Sequence, residues 1–372
     1  MTTENPDVVI VGGGIVGIAT AYFLGRVGVR STVVERDSVG SHASGFAFGG
    51  LSPLAGSGIP GPAFAVAAEG MRIHRELSQS LPQETGVNTE YRDTPNLALA
   101  FTEQDLQKAR AGMEWQQAQD GYDVRWVEAD GVQDIDPRIS REALGGVYTE
   151  GTAHVEPYRF VLALTHAAER LGATIRHGSV TGIKRTGRRA TGVVLESGEI
   201  ECDRVVLAVG PWSAAVSSWL DIPIDVSPLK GQILRLRAPG EPFSCSVGWE
   251  GNYFTTKPDG LLWTGTTEEE AGFDETPTTE ARDEIMASLL KVVQSMADAQ
   301  LVHHTACLRP LSTDGLPVLG AAPNNEGVYV ATGTGRKGIL LGPAMGRITA
   351  DLISKGSSDI PIDAFDPARF AR

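Results

Sequence analysis

The fold is decided by the stretch VVIVGGGIVG, residues 8–17, together with STVVE, residues 31–35. The four apolar residues predict a buried β-strand, and the glycines that follow match G-x-G-x-x-G in its usual place between a strand and a helix. Gly12 permits the tight turn, Gly14 lets the backbone approach a pyrophosphate, and Gly17 brings the helix close to the sheet. The stretch therefore predicts a dinucleotide-binding βαβ unit.

An acidic residue ends the second strand of this unit. Glu35 stands 18 residues after Gly17, where its carboxylate would accept hydrogen bonds from a ribose diol and disfavour the 2′-phosphate of NADP. NAD and FAD remain as candidates. A glycine-rich structural turn is the alternative, but the complete strand–turn–helix–strand context favours a nucleotide. A membrane span is disfavoured by Arg26 and the glycines among residues 8–29.

Composition narrows the class of protein. A chain of 372 residues exceeds the usual size of one hydrophobic core, so two lobes are expected. The net charge of −14 opposes binding to nucleic acid or anionic lipid. The three cysteines lack C-x-x-C spacing, which indicates neither a disulfide framework nor a metal site and suits a cytoplasmic protein. No integral membrane segment is expected.

A second glycine-rich turn lies near the C-terminus. Residues 328–331 predict a short strand, residues 333–338 a loop, and residues 339–353 a helix. A helix N-terminus offers free N–H donors and partial positive charge, which suits an anion or a ring that becomes anionic, as reduced flavin does.

The middle of the chain predicts less regular features. Residues 40–62 are so rich in Gly, Ser and Pro that a long loop is expected. Residues 173–209 predict short strands that return the chain to the nucleotide lobe, and residues 221–305 predict a mixed sheet with a helix at about 279–297.

Taken in order, these residues resemble the glycine oxidase and D-amino-acid oxidase (DAO) family of FAD-dependent amine oxidoreductases, with features similar to sarcosine oxidases. Four blocks spanning nearly the whole chain carry the resemblance. They are the N-terminal fingerprint with Glu35-Arg36, residues 43–53, residues 205–213, and residues 308–320 leading into 333–343.

The resemblance implies an α/β fold with a Rossmann-like FAD-binding domain of the GR2 type and a second, mixed-sheet α+β substrate domain. The FAD-binding domain is expected to be discontinuous, over residues 1–85, 145–220 and 305–372. The substrate-binding domain is expected over residues 86–144 and 221–304. FAD would lie extended, with its ring at the interface between the lobes.

The resemblance also implies which residues would hold FAD, mostly through their backbones. They are Gly12, Gly14, Ile15, Val16, Gly17, Glu35 and Arg36 for the ADP half, Ser44 near the pyrophosphate, Gly49, Gly50 and Leu51 along the flavin ring, Val180 on the adenine side, the strand-end residues Ala208, Gly210 and Trp212, and Gly335, Arg336, Lys337, Gly338 and Ile339 toward the ring and ribityl chain. For the side chains of Arg336 and Lys337, a solvated charged turn is the alternative.

Arg309 and Tyr253 are the candidate catalytic residues. A substrate carboxylate needs a permanently charged planar partner, and Arg309 offers bidentate geometry that lysine would not. Tyr253 matches the family's carboxylate-side tyrosine and could add a hydroxyl donor. The alternatives are a structural ion pair for Arg309 and an ordinary half-buried strand aromatic for Tyr253.

The implied reaction oxidises the C–N bond of a small amino acid (glycine, sarcosine or a D-amino acid) by hydride transfer to flavin N5, giving an imine that hydrolyses to an oxo acid. Two alternatives stay open: an FAD dehydrogenase of a secondary amine or 2-hydroxy acid, and a flavoprotein subunit of a hetero-oligomeric amine oxidase. The expected partners are the substrate and an electron acceptor, either oxygen or a quinone or protein. A homo-oligomer also stays open.

Three positions depart from the family patterns. Thr334 stands where glycine oxidases often carry histidine. Trp263 stands where sarcosine-oxidase relatives carry the lysine that activates oxygen, so oxidase and dehydrogenase both stay open. Cys307 stands two residues before Arg309, where those relatives attach flavin covalently. The glycine-oxidase branch binds FAD without a bond, so non-covalent FAD is expected, with attachment through Cys307 as the alternative to a small buried cysteine.

Overall fold

The structure is a computed structural model and describes residues 5–54 and 58–371. Within them the chain forms twenty β-strands: β1 (Val8–Val11), β2 (Ser31–Glu35), β3 (Gly50–Leu51), β4 (Arg92–Asp93), β5 (Asn96–Ala100), β6 (Asp123–Glu128), β7 (Gly145–Glu150), β8 (Ala153–His154), β9 (Thr174–His177), β10 (Val180–Thr186), β11 (Arg189–Leu195), β12 (Gly198–Glu201), β13 (Arg204–Leu207), β14 (Val226–Arg237), β15 (Ser246–Trp249), β16 (Asn252–Thr256), β17 (Leu262–Gly265), β18 (Gln300–Ser312), β19 (Val318–Ala321) and β20 (Val328–Thr332). The same residues form nine α-helices: α1 (Ile15–Arg26), α2 (Ala43–Phe46), α3 (Ala63–Thr85), α4 (Glu103–Gln117), α5 (Ala129–Ile135), α6 (Pro157–Arg170), α7 (Ser217–Leu220), α8 (Thr279–Val292) and α9 (Gly338–Lys355).

A six-stranded sheet with the order β19-β20-β13-β1-β2-β9 forms the first lobe. Strand β1 pairs in parallel with both β2 and β13, and all four of its residues are buried because both faces of the sheet are covered. Val8 and Ile10 face a core built with α1, α3, α6 and α9. Val9 and Val11 face a second core that includes residues of the three-stranded sheet β10-β11-β12.

An eight-stranded sheet with the order β18-β14-β17-β16-β15-β5-β7-β6 forms the second lobe. Its pairs are antiparallel except for β5 with β15. Side chains alternate between the two faces of a strand. On one face, residues such as Leu234, Val247 and Phe254 pack in a core with α8. On the other face, Tyr253 lies opposite Gly248, and this face borders the cavity described below.

The mixed α/β architecture with a Rossmann-like lobe and a second mixed sheet is confirmed. Strand β4, expected in the substrate-binding domain, pairs with β8 of the expected FAD-binding domain. Sheet membership also differs from the expected division at two domain boundaries, since β7 and the whole of β18 belong to the eight-stranded sheet. We therefore propose moving those two domain boundaries, from 145 to about 151 and from 305 to about 313.

The segment 40–62 contains more regular structure than its composition predicts. It forms the short helix α2 and strand β3, which pairs with β8, while residues 55–57 lie outside the described residues. The predicted helix at 279–297 is α8 followed by a 3-10 turn at Gln294–Asp298. Among the described residues, no helix is long and apolar enough to cross a membrane.

Candidate cofactor and substrate site

One continuous cavity of about 1330 Å³ joins the two lobes. Its volume exceeds the ~300–1,000 Å³ typical of ligand pockets, so it has room for a ligand larger than one small molecule. Gly12 and Glu35 line one end, and Arg309 and Tyr253 line the other.

Nearly all of the predicted site residues line this cavity. They are Gly12, Gly14, Ile15, Val16, Glu35, Arg36, Ser44, Gly49, Gly50, Val180, Ala208, Gly210, Trp212, Tyr253, Arg309, Gly335, Arg336, Lys337, Gly338 and Ile339. Gly17 and Leu51 do not line it. Gly17 lies beneath the turn, and Leu51 is fully buried in the core of the first lobe.

The first turn requires glycine at two positions for different reasons. Gly12 has a φ of +107°, and a Cβ there would lie 2.4 Å from the carbonyl oxygen of Ala208. A Cβ on Gly17 would lie 2.0 Å from the carbonyl oxygen of Gly12. Larger residues would therefore push strand, turn and helix apart, and the close approach leaves the N-terminus of α1 at the cavity.

The N-terminus of α1 is held by two side chains from elsewhere in the nucleotide end. The backbone N–H of Ile15 donates to Ser44 Oγ at 3.0 Å. The N–H of Gly13 donates to Glu35 Oε2 at 2.6 Å, and the N–H of Asp37 donates to Oε1 at 2.9 Å. The Glu35 carboxylate is thereby fixed in orientation and keeps acceptor capacity on the cavity side.

Arg36 and Trp212 contact each other across the same end. The guanidinium carbon of Arg36 lies 4.0 Å from the centroid of the Trp212 ring, a cation–π geometry. The His42 ring packs edge-on against Trp212, and His42 Nε2 lies 2.9 Å from Asp37 Oδ2. His42 also lines the cavity, although no spacing rule in the sequence pointed to it.

Arg309 is the buried cation of the substrate end. Arg309 is 8% exposed. Its guanidinium donates hydrogen bonds to the carbonyl oxygen of Thr267 at 3.0 Å and to Thr266 Oγ1 at 2.5 Å. Within residues 5–54 and 58–371, no carboxylate lies within 4.0 Å of its guanidinium. A buried charge with neutral partners is costly, so this arginine is suited to an anion that enters the cavity.

Gly231 on β14 makes room for that guanidinium. A Cβ at Gly231 would lie 1.8 Å from Arg309 Nη2, so a larger residue would displace the arginine. Gly231, Thr266 and Thr267 thus form a cradle that sequence spacing did not predict, because Gly231 on β14 and the Thr266-Thr267 segment that follows β17 meet only in the folded protein.

Tyr253 lies on the neighbouring part of the sheet. Its ring packs edge-on against Phe48, with centroids 4.4 Å apart, and both residues line the cavity. Burial raises the pKa of the Tyr253 hydroxyl, with Arg309 opposing that effect. The hydroxyl therefore stays protonated at neutral pH and can donate a hydrogen bond.

The second glycine turn brings two cations to the cavity. Lys337 Nζ donates to the carbonyl oxygen of Ser52 at 3.2 Å, and burial lowers its pKa to about 8. Arg336 donates to the carbonyl oxygen of Gly251 at 3.0 Å and pairs with Glu268 at 3.2 Å. The Arg336 side chain is therefore engaged with protein partners and is not a freely solvated turn residue.

Cys307 also faces the cavity, as expected for a residue two positions from Arg309 on one strand. Burial raises the pKa of its thiol, which disfavours the thiolate that covalent attachment to a flavin requires.

These features fit a dinucleotide cofactor. Gly12, the N-terminus of α1 and the oriented Glu35 carboxylate all border one end of a long cavity, and Gly17 packs directly beneath the same turn. Gly12, Gly14, Ser44 and Glu35 would hold its ADP half. Of the described residues, none form a cluster of three or more His, Cys, Asp or Glu able to hold a metal ion.

The glycine turn, the long cavity and the separate substrate lobe define a dinucleotide-dependent oxidoreductase with two lobes. Residues 7–352 match the family model described as FAD dependent oxidoreductase, DAO. The chain belongs to this family, it is an FAD-dependent oxidoreductase, and the family that the sequence resembles is confirmed.

Similar proteins match this chain along nearly its whole length. A glycine oxidase from Pseudomonas aeruginosa is 32% identical over 98% of this chain and 98% of its own. The crystal structure of glycine oxidase from Bacillus cereus has a TM-score of 0.89 at 30% identity and covers 95% of this chain and 96% of its own. That of glycine oxidase from Geobacillus kaustophilus has a TM-score of 0.94 at 27% identity and covers 99% of each chain.

Proposed function

We propose that this protein oxidises the C–N bond of a small amino acid such as glycine, sarcosine or a D-amino acid. The observation that carries the proposal is Arg309, a buried guanidinium on the cavity wall with no carboxylate partner among the described residues. A substrate carboxylate would supply the missing counter-charge through a bidentate pair. The glycine oxidases to which the chain is similar make an amino acid the natural candidate.

Each residue of the substrate end has a role in this proposal. Arg309 binds the carboxylate, and the Tyr253 hydroxyl donates a hydrogen bond to the same group. Bound FAD supplies the acceptor for the hydrogen and electron pair that leave the α-carbon. Lys337 and the N-terminus of α9 place positive charge on the cavity wall, which stabilises negative charge that develops there.

The identity of the electron acceptor is part of the proposal. We expect oxygen first, because the compared relatives are glycine oxidases, with a quinone or protein acceptor as the alternative. We also propose a cytoplasmic location, as the cysteine pattern predicts.

An anaerobic reduction experiment tests the proposal. The purified yellow holoprotein is mixed without oxygen with glycine, sarcosine, and D- and L-alanine, and the flavin absorbance near 450 nm is followed. Air is then admitted. We expect an amino acid to bleach the flavin; rapid recolouring in air would identify an oxidase, and persistent bleaching would identify a dehydrogenase.

Glycolate and lactate serve as matched comparisons, because they carry the same carboxylate with a hydroxyl in place of the amine. Bleaching by these hydroxy acids without bleaching by amino acids would overturn the proposal in favour of C–O oxidation. No bleaching by either class would mean that the isolated chain lacks the proposed activity.

A further inference from the structure

A buried lysine, Lys257, lies behind the wall of the cavity. Lys257, at the end of the hairpin formed by β16 and β17, is 4% exposed. Its Nζ contacts His154 Nδ1 at 3.1 Å and the carbonyl oxygen of Val155 at 3.1 Å. In the part of the chain that the structure describes, no carboxylate lies within 4.0 Å of this amine.

The neighbours of the amine are apolar or already engaged. Nζ lies 5.2 Å from the centroid of the Phe48 ring and 5.3 Å from that of Trp263. The charged groups around it are Glu156, Asp259, Arg92 and Glu90, together with Arg235, which also contacts the Trp263 ring. Glu156 accepts the N–H of Arg159 at 2.6 Å, and Asp259 accepts the indole N–H of Trp263 at 3.0 Å. Burial lowers the pKa of Lys257 to about 7, so both its forms are accessible near neutral pH.

His154 connects this amine to the cavity. Its Nε2 lies 2.8 Å from Ser246 Oγ, and both His154 and Ser246 line the cavity although Lys257 does not. Ser246 lies two residues before Gly248, which pairs with Tyr253, so its side chain is on the same face of the sheet as that tyrosine. Burial and the nearby Lys257 hold the pKa of His154 well below its usual value, which keeps the imidazole neutral.

We propose that Ser246, His154 and Lys257 form a proton relay that takes a proton from the amine of the bound substrate and stores it on Lys257. An amino acid enters as an ammonium ion and must become a neutral amine before the α-carbon can be oxidised. The role therefore rests on the proposed function, and it gives the substrate end a proton acceptor.

The hydrogen bonds allow a proton to move from the substrate ammonium to Lys257 and back. With Lys257 neutral, His154 Nδ1–H donates to Nζ, and the Ser246 hydroxyl donates to Nε2. The substrate ammonium then gives its proton to Ser246 Oγ, Ser246 gives its own proton to Nε2, and Nδ1 gives its proton to Lys257. The result is a neutral substrate amine, a charged Lys257 and a neutral imidazole in its other tautomer.

The test measures the rate of flavin reduction by saturating substrate, without oxygen, between pH 6 and pH 9. In the wild type we expect the rate to rise with pH through an inflection near 7, since only neutral Lys257 accepts a proton. Lys257→Met and Ser246→Ala should both lose this inflection and should be about 10- to 100-fold slower at pH 8, within the range for general base catalysis. Substrate affinity should change little.

Lys230→Met is the matched control. Lys230 is a buried lysine too, but its amine pairs with Asp274 at 3.3 Å, so this variant should keep the inflection. An unchanged pH profile in both Lys257→Met and Ser246→Ala, with the wild type still reduced by amino acids, would overturn the relay alone. A wild type that no amino acid reduces would overturn the proposed function and, with it, the role of the relay.

Discussion

The two ends of the cavity recognise their ligands in different ways. The nucleotide end is built mainly from one contiguous segment, residues 8–44. It presents backbone N–H groups to the ligand, and glycines in the turn keep the approach to them open. The substrate end is built from side chains on strands far apart in the chain, with Arg309 on β18 held against Gly231 on β14. The nucleotide end should therefore be sensitive to any side chain added at a glycine of its turn. The substrate end should be sensitive to the loss of a single charged group.

The largest effect is expected for added bulk in the first turn. Gly17→Ala places a methyl group against the carbonyl oxygen of Gly12, 2.0 Å from the ideal Cβ position, and neither backbone can yield cheaply. We expect the purified variant to contain little or no flavin, measured as the ratio of absorbance at 450 and 280 nm. Gly182→Ala is the control, because a Cβ at Gly182 meets nothing within 4 Å. A fully yellow Gly17→Ala protein would contradict the account.

The second effect is on the substrate end alone. Arg309→Met removes the carboxylate partner, and we expect kcat/KM for the best amino acid to fall about 10²- to 10⁴-fold while FAD stays bound, since a lost charge-assisted pair is worth about 3–5 kcal/mol. Arg309→Lys should recover only part of the activity, because lysine lacks the planar fork. Loss of flavin from Arg309→Met would place this residue at the cofactor instead.

The third effect separates the two kinds of buried lysine. The pKa of Lys257 is lowered to about 7 in the folded protein, whereas in the unfolded chain it is near 10.4. As pH falls from 10 to 7, the amine of Lys257 gains a proton in the unfolded chain but not in the folded protein. The free energy of unfolding of the wild type therefore decreases over this range, and the full decrease is present below pH 7.

The free energy of unfolding of Lys257→Met, relative to the wild type, should therefore rise by about 3 kcal/mol between pH 10 and pH 7. Urea unfolding of both proteins at several pH values measures this difference. Lys230→Met is the matched control, because Lys230 is also buried but its amine pairs with Asp274 and Glu269. A pH-independent difference for Lys257→Met would show that its amine stays charged in the folded protein.

A smaller effect is expected for the Glu35 carboxylate of the nucleotide end. Glu35→Gln keeps an acceptor for the N–H of Gly13 but removes the charge, and hydrogen bonds to charged groups exceed neutral ones by about 1–1.5 kcal/mol. We expect FAD to bind about 10-fold more weakly, measured by fluorescence titration of the apoprotein. Complete loss of binding would mean that this end depends on side chains as much as the substrate end does.

The smallest effect is expected at Cys307. Its thiol is buried with a raised pKa, so we expect acid precipitation of the wild type to release all of the flavin into the supernatant. Cys307→Ser should give the same result. Flavin that remains with the precipitated wild type and not with the variant would establish a covalent bond.

The same comparison explains which parts of the molecule the sequence could predict. The strand, turn and helix of residues 8–26 were predicted because a local pattern of glycines and apolar residues fixes their geometry. The cradle of Arg309 depends on the register between β14 and β18. The hydrogen-bonded relay of Ser246, His154 and Lys257 depends on the pairing of β8, which contains His154, with β3. No short-range spacing encodes those contacts, so the resemblance supplied Arg309 and Tyr253 but not the residues that position them.

The segment 40–62 shows a second limit of composition. Its glycines predicted a loop, yet Ser44 lies in the helix α2 and Gly50 pairs with His154 in a short ladder. Gly49 has a φ of +79°, and a Cβ there would lie 2.2 Å from the carbonyl oxygen of Val155. Gly49 is therefore required by the close approach of two packed backbones and does not mark an absence of regular structure.

The most direct test of the account asks whether the two ends form one site. A non-oxidisable amino acid without an α-hydrogen, 2-aminoisobutyrate, is titrated into the wild-type holoprotein and into Arg309→Met while the flavin spectrum is recorded. The account predicts a saturable spectral change in the wild type that disappears, or needs at least about 100-fold more ligand, in the variant. An equal response in both proteins would contradict it, because the carboxylate would then bind beside the flavin without Arg309.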